Sequence, residues 1–234
     1  MIIGGILGGL ISIPFGRTTN NHFRMFNLFQ KMNWFLRLDV EIRHKERLQS
    51  NEPYILIANH QSCIDVLAMS YAWPENCVVI LKSSLKWLPG FNLCAWLCHS
   101  IYINRFNKEK SKNTVDATSV AIKEHKRKVW VFPEGTRNPG SKLLSFKKGA
   151  FILAHQSKIP VVCCVFSSHK QFYDWEEKRF DDSGRILAEI LPAIDSTKFE
   201  SIDALSDHCH EIMQKKFDEI NQNLGITVES SKRE

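Results

Sequence analysis

His60 and Asp65 stand five positions apart in the segment NHQSCID, which directly follows the apolar run YILIA. In alternating α/β proteins, functional side chains tend to lie just past the carboxyl ends of strands. A histidine in such a loop can accept a proton, and a nearby carboxylate can fix its tautomer and stabilise the imidazolium that forms. The segment therefore predicts a general base, His60, oriented by Asp65.

The same spacing has structural explanations. Residues five apart on one ideal helix diverge by about 140°, so the two side chains cannot share one face of it. They can meet if His60 lies in the loop and the helix begins at Ser62, which places Asp65 in its first turn. The pattern Ser62-x-x-Asp65 also fits a capping box, in which Asp65 would only satisfy helix amides. Spacing alone leaves both interpretations open. It also does not exclude Cys63 as a nucleophile beside His60.

A second polar segment, PEGTR, follows another apolar run, VWVF. Gly135 permits a tight turn or close backbone approach. Arg137 offers a planar fork suited to a phosphate, and Thr136 adds a hydroxyl donor. Glu134 could bind a substrate hydroxyl or hold Arg137 in place. The segment predicts an anion site, and a polar turn closed by a surface ion pair is the alternative.

Composition limits the class of protein. The chain has 234 residues, of which 44% are hydrophobic, so it can form a substantial core. A net charge of +6 suits either a slightly basic surface or attraction to an anionic membrane or substrate. No basic-aromatic stripe or binding motif stands out, so no nucleic acid partner is expected.

Seven cysteines are spread over apolar segments, and this odd number predicts buried thiols in a reducing compartment. Cys94, Cys98 and His99 are close enough in sequence to suggest a metal site. No second ligand pair follows them at a useful spacing. We therefore favour core packing there and expect no metal.

Residues 1–15 are almost wholly apolar, with glycines at a spacing that lets membrane helices pack closely. This stretch is shorter than the ~20 residues of a bilayer span. An aromatic-rich segment containing Arg17 and Arg24 follows. We expect residues 1–38 to form membrane-associated apolar and amphipathic helices, with a buried N-terminal core helix as the alternative.

Strand-like and helix-like segments alternate along the rest of the chain. This pattern predicts an α/β fold with a mostly parallel central sheet flanked by helices, formed by residues 39–228 and followed by a polar tail at 229–234. The predicted strands are residues 40–43, 54–58, 77–81, 101–103, 129–132, 161–166 and 186–191. The predicted helices are residues 64–71, 91–98, 110–126, 146–156 and 202–224.

Four segments in order resemble the conserved blocks of the glycerolipid acyltransferase family, most closely the 1-acylglycerol-3-phosphate (lysophosphatidate) acyltransferases. They are the NH-x4-D pattern beginning at Asn59, SIYINR ending at Arg105, FPEGTR ending at Arg137, and IPVV beginning at Ile159. The resemblance runs from about residue 17 to residue 195.

The resemblance implies a 1-acylglycerol-3-phosphate O-acyltransferase. His60, oriented by Asp65, would deprotonate the sn-2 hydroxyl of lysophosphatidate, which would attack the thioester of acyl-CoA directly, giving phosphatidate. No acyl-enzyme, metal or cofactor is implied, and acyl-CoA is a co-substrate. The residues implied to bind the glycerol phosphate are Arg105, Glu134, Gly135 and Arg137. A membrane lipid partner and an endoplasmic reticulum membrane location, with the site facing the cytosol, are implied as well.

Two departures from the family pattern keep alternatives open. The second block usually has a glycine at its start and an aspartate before its arginine, where this chain has Ser100 and Asn104. Glycerol-3-phosphate or another lysophospholipid therefore remains an alternative acceptor. The N-terminal membrane region also looks abbreviated, which motivates a catalytically weak membrane lipid-binding protein as a further alternative.

Overall fold

The fold is that of a computed structural model, which describes residues 2–88, 90–103, 115, 118–120 and 122–226. Its strands are β1 (Leu38–Arg43), β2 (Ile55–Ala58), β3 (Cys77–Lys82), β4 (Ile101–Ile103), β5 (Lys128–Val131), β6 (Val161–Phe166), β7 (Tyr173–Asp174), β8 (Arg179–Phe180) and β9 (Gly184–Ile190). Its helices are α1 (Ile2–Ser12), α2 (Asn21–Leu36), α3 (Asp65–Tyr71), α4 (Phe91–Leu97), α5 (Gly149–Ser157) and α6 (Ile202–Asn223). Short 3₁₀ helices cover Ile13–Phe15, Lys45–Leu48, Ser83–Trp87 and Ser196–Lys198.

Seven strands form one sheet in the order β1-β9-β6-β2-β5-β3-β4. Every neighbouring pair is parallel except β6 and β9, which run antiparallel. The predicted mostly parallel α/β sheet is confirmed, and all seven predicted strands are present. The sequence pattern did not indicate the reversed direction of β1 and β9, nor the separate hairpin β7–β8.

The central strand β2 is buried on both faces, and its side chains alternate between two cores. Ile55 and Ile57 pack on the face covered by α5 and α6, whereas Leu56 and Ala58 pack on the face covered by α2 and α3. This alternation follows from the two-residue period of a strand. Because β2 is enclosed on both sides, the loop that follows it has a rigid starting point.

Helix α6 covers one face of the sheet with an apolar stripe at three- and four-residue spacing. The side chains of this stripe are fully or almost fully buried, and they are Leu205, Cys209, Met213, Phe217 and Ile220. Ser201 begins the helix, since its hydroxyl accepts a hydrogen bond from the amide of Ala204 at 3.0 Å.

The N-terminal helices pack on the α/β layers. Gln30 of α2 donates its side-chain amide to the carbonyl of Ser70 on α3 at 2.8 Å, and Asn33 donates to the carbonyl of Leu38 at 2.8 Å. Within the described part of the chain, no helix combines the length and the apolar composition that a membrane span requires. The predicted helix at residues 110–126 lies partly outside the described residues, and 118–120 and 122–125 are helical. The predicted tail at 229–234 lies wholly outside them.

The cysteines are free thiols, six of them buried and Cys63 half-buried. Cys94 and Cys98 both lie in the core, 3% and 1% exposed, as expected for packing residues.

The buried His22 predicts a specific loss of stability in acid. Its ring packs against Phe26 and Trp73, and burial lowers its pKa to about 3. In the unfolded chain the pKa of His22 has its ordinary value of 6.5, so the unfolded state binds a proton that the folded state does not. The stability that depends on a neutral His22 is therefore fully present above pH 6.5 and is lost as the pH falls below it. The free energy of unfolding of the parent should fall by about 2 kcal/mol, relative to His22→Phe, between about pH 8 and about pH 5.

Denaturant titration of both proteins at the two pH values measures this difference. His208→Phe is the control, because His208 is exposed beside Phe199. The prediction would be contradicted if the difference in free energy of unfolding between the parent and His22→Phe did not change with pH.

Candidate active site

Three loops meet at the carboxyl edge of the sheet. Strand β2 lies between β5 and β6 and is parallel to both, so the segments that follow these strands emerge side by side. They are residues 59–64 after β2, 132–138 after β5 and 167–169 after β6. The edge that positions functional groups in parallel sheets therefore carries both polar segments predicted from the sequence.

His60 and Asp65 are in direct contact. Nδ1 of His60 lies 2.5 Å from Oδ2 of Asp65, whose side chain is fully buried, while the His60 side chain is 21% exposed. A carboxylate at this position accepts the Nδ1–H, which fixes the tautomer in which Nε2 carries a lone pair. Nε2 has no hydrogen-bond partner in the part of the chain that the structure describes. The pair therefore presents one uncommitted basic nitrogen.

Asp65 also accepts hydrogen bonds from backbone amides. The two interpretations of its spacing, a partner for His60 and a carboxylate that satisfies amides, therefore each describe part of the site. The same Oδ2 accepts from the amides of Gln61 at 2.8 Å and Ser62 at 3.0 Å. Helix α3 begins at Asp65, three residues later than Ser62, because residues 62–64 form a turn in which the Ser62 hydroxyl accepts from the amide of Ile64. The carboxylate thus organises the loop and the histidine together.

The loop that carries His60 is held from its sides. The side chain of Asn59 bonds both backbone groups of Phe166, its Nδ2 donating at 3.0 Å and its Oδ1 accepting at 2.8 Å. Gln61 donates to the carbonyl of Ser167 at 2.8 Å. The imidazole of His60 stacks on Phe132, with ring centroids 4.2 Å apart. These contacts leave the His60 ring little freedom to reorient.

The carboxylate of Glu134 is held by groups of the protein, and its role as a substrate contact stays a prediction. The residue is 2% exposed, and its Oε1 accepts the backbone amide of His60 at 2.9 Å. Its Oε2 accepts from the amide of Leu144 and from the side chain of Asn138. Burial raises the pKa of the Glu134 carboxyl, and these three hydrogen bonds act in the opposite direction. Glu134 is therefore engaged by the protein, and it joins the β5 loop to His60.

The residues that follow Glu134 are more exposed to solvent than Glu134 itself. Gly135 adopts a φ of 74°, in the left-handed region that favours glycine, and the chain then turns outward. Thr136 and Arg137 are exposed. Arg137 has no hydrogen bond or ion pair with any other described residue. Its positive charge acts to lower the pKa of Tyr173 in the hairpin. Arg105 lies outside the described residues, so its place in the anion site remains a prediction.

Cys63 is not paired with the histidine. Its sulfur lies 3.6 Å from the hydroxyl of Tyr173, and Nδ1 of His60 is committed to Asp65. Burial and the Cys63 contact raise the pKa of Tyr173 to about 12, so this hydroxyl stays protonated at neutral pH. The contact offers no base that would activate the Cys63 thiol.

Two residues of the site were missed by sequence reasoning. Asn138 donates its backbone amide to the carbonyl of His60 at 2.7 Å. His169, 2% exposed, places Nδ1 3.4 Å from Oδ1 of Asp65. Its position three residues past the end of β6 was the one available signal, because strand ends at this edge carry the other site groups.

Fold and site together define an α/β enzyme with a histidine–aspartate pair at the carboxyl edge of its sheet. A family model described as "Acyltransferase" matches residues 39–167. The chain is 62% identical over 229 residues to a putative 1-acyl-sn-glycerol-3-phosphate acyltransferase, acl-1, of Caenorhabditis elegans, covering 97% of this chain and 87% of the relative. It is 35% identical to the human 1-acyl-sn-glycerol-3-phosphate acyltransferase beta, covering 92% of this chain and 79% of the relative.

A solved structure shares the fold. The 1-acyl-sn-glycerophosphate acyltransferase PlsC of Thermotoga maritima superposes with a TM-score of 0.69 at 21% identity, covering 86% of this chain and 82% of that one. The chain belongs to the glycerolipid acyltransferase family, among the 1-acyl-sn-glycerol-3-phosphate acyltransferases. The family resemblance of the four sequence blocks is thereby confirmed.

The position of Glu134 predicts a loss of stability in Glu134→Gln. Glutamine keeps the shape but directs an amide N–H toward groups that are themselves donors. Leaving buried donors unsatisfied should lower the free energy of unfolding by about 1–3 kcal/mol, measured by denaturant titration. The exposed Glu176→Gln should have no such effect. A variant as stable as the parent, with only a raised KM for the acceptor, would instead support a direct substrate contact.

Proposed function

We propose that the chain transfers a fatty acyl group from acyl-CoA to the sn-2 hydroxyl of lysophosphatidate, giving phosphatidate, with His60 as general base. The observation that carries the proposal is the 2.5 Å contact from Nδ1 of His60 to the buried Asp65, with Nε2 uncommitted. The names of the relatives support this substrate, since those proteins are described as 1-acyl-sn-glycerol-3-phosphate acyltransferases.

The reaction needs one base and no covalent enzyme intermediate. Nε2 of His60 removes the hydroxyl proton while the hydroxyl oxygen attacks the thioester carbonyl carbon. The resulting imidazolium is stabilised by the negative charge of Asp65. When the tetrahedral intermediate collapses, the carbon–sulfur bond breaks and Nε2 returns its proton to the thiolate of CoA. The products are phosphatidate and free CoA, and His60 is neutral again.

We assign the acceptor phosphate to the exposed side of the PEGTR turn. Arg137 is exposed and lacks a described ion-pair partner, so its guanidinium can form paired hydrogen bonds with a phosphate. Thr136 is exposed beside it and can donate its hydroxyl. Arg105 is the further cation that the family resemblance implies. Glu134 acts in this proposal through His60 rather than on the phosphate.

His60→Ala tests the proposed reaction. Purified parent and variant are assayed for CoA release and for lipid product, with lysophosphatidate and with glycerol-3-phosphate as separate acceptors. The parent should acylate lysophosphatidate, and the variant should lose about 10²–10⁴-fold in kcat because the base is absent. His155→Ala is the control, since His155 is exposed on α5 away from the site.

Each alternative has its own outcome in this assay. A folded variant with full activity would refute the base role of His60. A parent that prefers glycerol-3-phosphate or a larger lysophospholipid would replace lysophosphatidate as the acceptor. A folded parent that binds lipid but transfers nothing to any acceptor would support the lipid-binding alternative.

We also propose that the N-terminal helices bind a membrane surface, so that the acyl chains of the substrates stay in lipid. Large apolar side chains are exposed on α1 at Leu7, Leu10 and Ile11, which share one helical face. On α2, Trp34 is 85% and Phe35 is 81% exposed. Exposed apolar faces of this kind are typical of helices that lie in the membrane interface.

Cations border this apolar surface. The guanidinium of Arg24 lies 3.6 Å from the ring centroid of Phe15, and that of Arg17 lies 5.1 Å from the ring of Trp96. Arginine beside exposed aromatic rings suits the headgroup region of anionic lipids. The proposed location is the endoplasmic reticulum membrane with the site facing the cytosol, and the six buried thiols suit a reducing compartment.

Binding to lipid vesicles tests this surface. A variant carrying both Trp34→Ser and Phe35→Ser should bind phosphatidylcholine–phosphatidylserine vesicles about tenfold or more weakly in a flotation assay, because two large apolar side chains no longer insert. Trp175→Ser is the matched control, since Trp175 is 80% exposed on the turn of the hairpin. Equal loss in the control, or none in the double variant, would refute the assignment to the N-terminal helices.

A further inference from the structure

A second histidine approaches the carboxylate that orients His60. His169 follows β6, is 2% exposed, and its backbone amide donates to Oε1 of Gln61 at 3.1 Å. Its Nδ1 lies 3.1 Å from the hydroxyl oxygen of Ser62 and 3.4 Å from Oδ1 of Asp65. His60 contacts Oδ2 of the same carboxylate. The two oxygens of Asp65 therefore face two different imidazole rings.

The contacts indicate which nitrogen of His169 carries the proton. The Ser62 hydroxyl oxygen already accepts the amide of Ile64 at 3.0 Å and has a second lone pair for another donor. If Nδ1 were unprotonated, its lone pair would face the anionic Oδ1 of Asp65, which is repulsive. A proton on Nδ1 instead gives Ser62 a donor and places the positive end of the N–H dipole beside the carboxylate.

The ring is neutral in this arrangement. Burial lowers the pKa of His169, and the charge of Asp65 offsets this only in part, while His60 acts in the same direction as burial. At neutral pH the ring therefore remains an uncharged donor. It adds a dipole to the site without adding a charge that would compete with the imidazolium of His60.

The arrangement is not a second serine–histidine–aspartate triad. Such a triad uses one ring nitrogen for the serine and the other for the carboxylate. In His169, Nδ1 faces both Ser62 and Asp65, and Nε2 is buried without a hydrogen-bond partner in the described part of the chain. His169 consequently has no route by which to relay a proton from the Ser62 hydroxyl.

We propose that His169 is a positioning residue for the general base, presenting its Nδ1–H to Ser62 and to Oδ1 of Asp65 so that Oδ2 stays on His60. Oδ1 is buried and accepts no hydrogen bond from the described residues, and Nδ1 of His169 lies 3.4 Å from it. Without His169, this anionic oxygen would lose the N–H dipole that faces it beside the reacting pair. The more basic carboxylate would then draw the Nδ1 proton of His60 further toward Oδ2.

The inference deepens the proposed acyl transfer and rests on it for the role of His60. Two substitutions separate the donor from the ring. In His169→Asn, the side-chain amide nitrogen takes the place of Nδ1 and keeps a donor. In His169→Leu, an apolar side chain of comparable size removes it. The matched control is His22→Leu, which removes another buried imidazole, 1% exposed, outside the site.

The first measurement is kcat and KM for the acceptor at saturating acyl-CoA, on variants shown to be folded by denaturant titration. We expect His169→Leu to lower kcat about tenfold or more, with KM within about twofold of the parent, because binding does not involve this residue. His169→Asn should stay within about threefold of the parent kcat, and His22→Leu should match the parent. Parental kcat in folded His169→Leu, equal losses in the Asn and Leu variants, or a change confined to KM would overturn the proposal.

The second measurement does not depend on catalysis. The proton between His60 and Asp65 should give a far-downfield ¹H NMR resonance, assigned by its loss in His60→Gln. It should move further downfield in His169→Leu, because Oδ2 becomes a stronger acceptor, and should stay in place in His169→Asn and His22→Leu. A resonance unchanged in His169→Leu, or absent in the parent, would overturn the positioning role. If the parent transfers no acyl group, the proposed function fails and this resonance alone decides the role of His169.

Discussion

The structure of the site depends on one buried carboxylate, Asp65. It is the first residue of α3, is fully buried, and receives hydrogen bonds from two backbone amides of its own loop and from the ring of His60. A charge buried at this depth is tolerated only when it is well hydrogen-bonded. The loop conformation that satisfies Asp65 is therefore also the one that presents His60. Folding of this loop therefore also orients the ring of His60.

Asp65 can do this because the sheet brings three loops together around it. Asn59 joins the β2 loop to the last residue of β6, and Gln61 joins it to the residue that follows. Glu134 and Asn138 join the β5 loop to the backbone of His60. These contacts come from strands that are adjacent and parallel in the sheet but distant in sequence. The groups of the site without a described hydrogen-bond partner, Nε2 of His60 and the side chain of Arg137, are consequently carried by a scaffold of buried polar residues. Such a scaffold suits a histidine that must keep one tautomer.

How well a residue could be assigned from sequence depended on whether its role is set locally. The strands and the helix α6 were predicted because apolar periodicity reflects burial directly. Spacing alone left the pairing of His60 with Asp65 open, because Ser62-x-x-Asp65 also fits a capping box, and the resemblance to the family decided for the pair. The partners of Glu134 were not predicted, because a carboxylate beside an arginine resembles part of an anion site, whereas Glu134 accepts the distant amides of His60 and Leu144. His169 was missed, because its partner lies 104 positions away in sequence.

The sequence by itself determined the α/β class, the position of the strands and the chemical types available at their ends. It determined these because they follow from side-chain periodicity and from the conformational limits of single residues, such as Gly135 at positive φ. Only the tertiary structure decided the strand order, the reversed direction of β1 and β9, and the orientation of each polar side chain. Those features depend on which distant segments become neighbours in the sheet, and a hydrogen bond between such segments leaves no periodic signal in either of them.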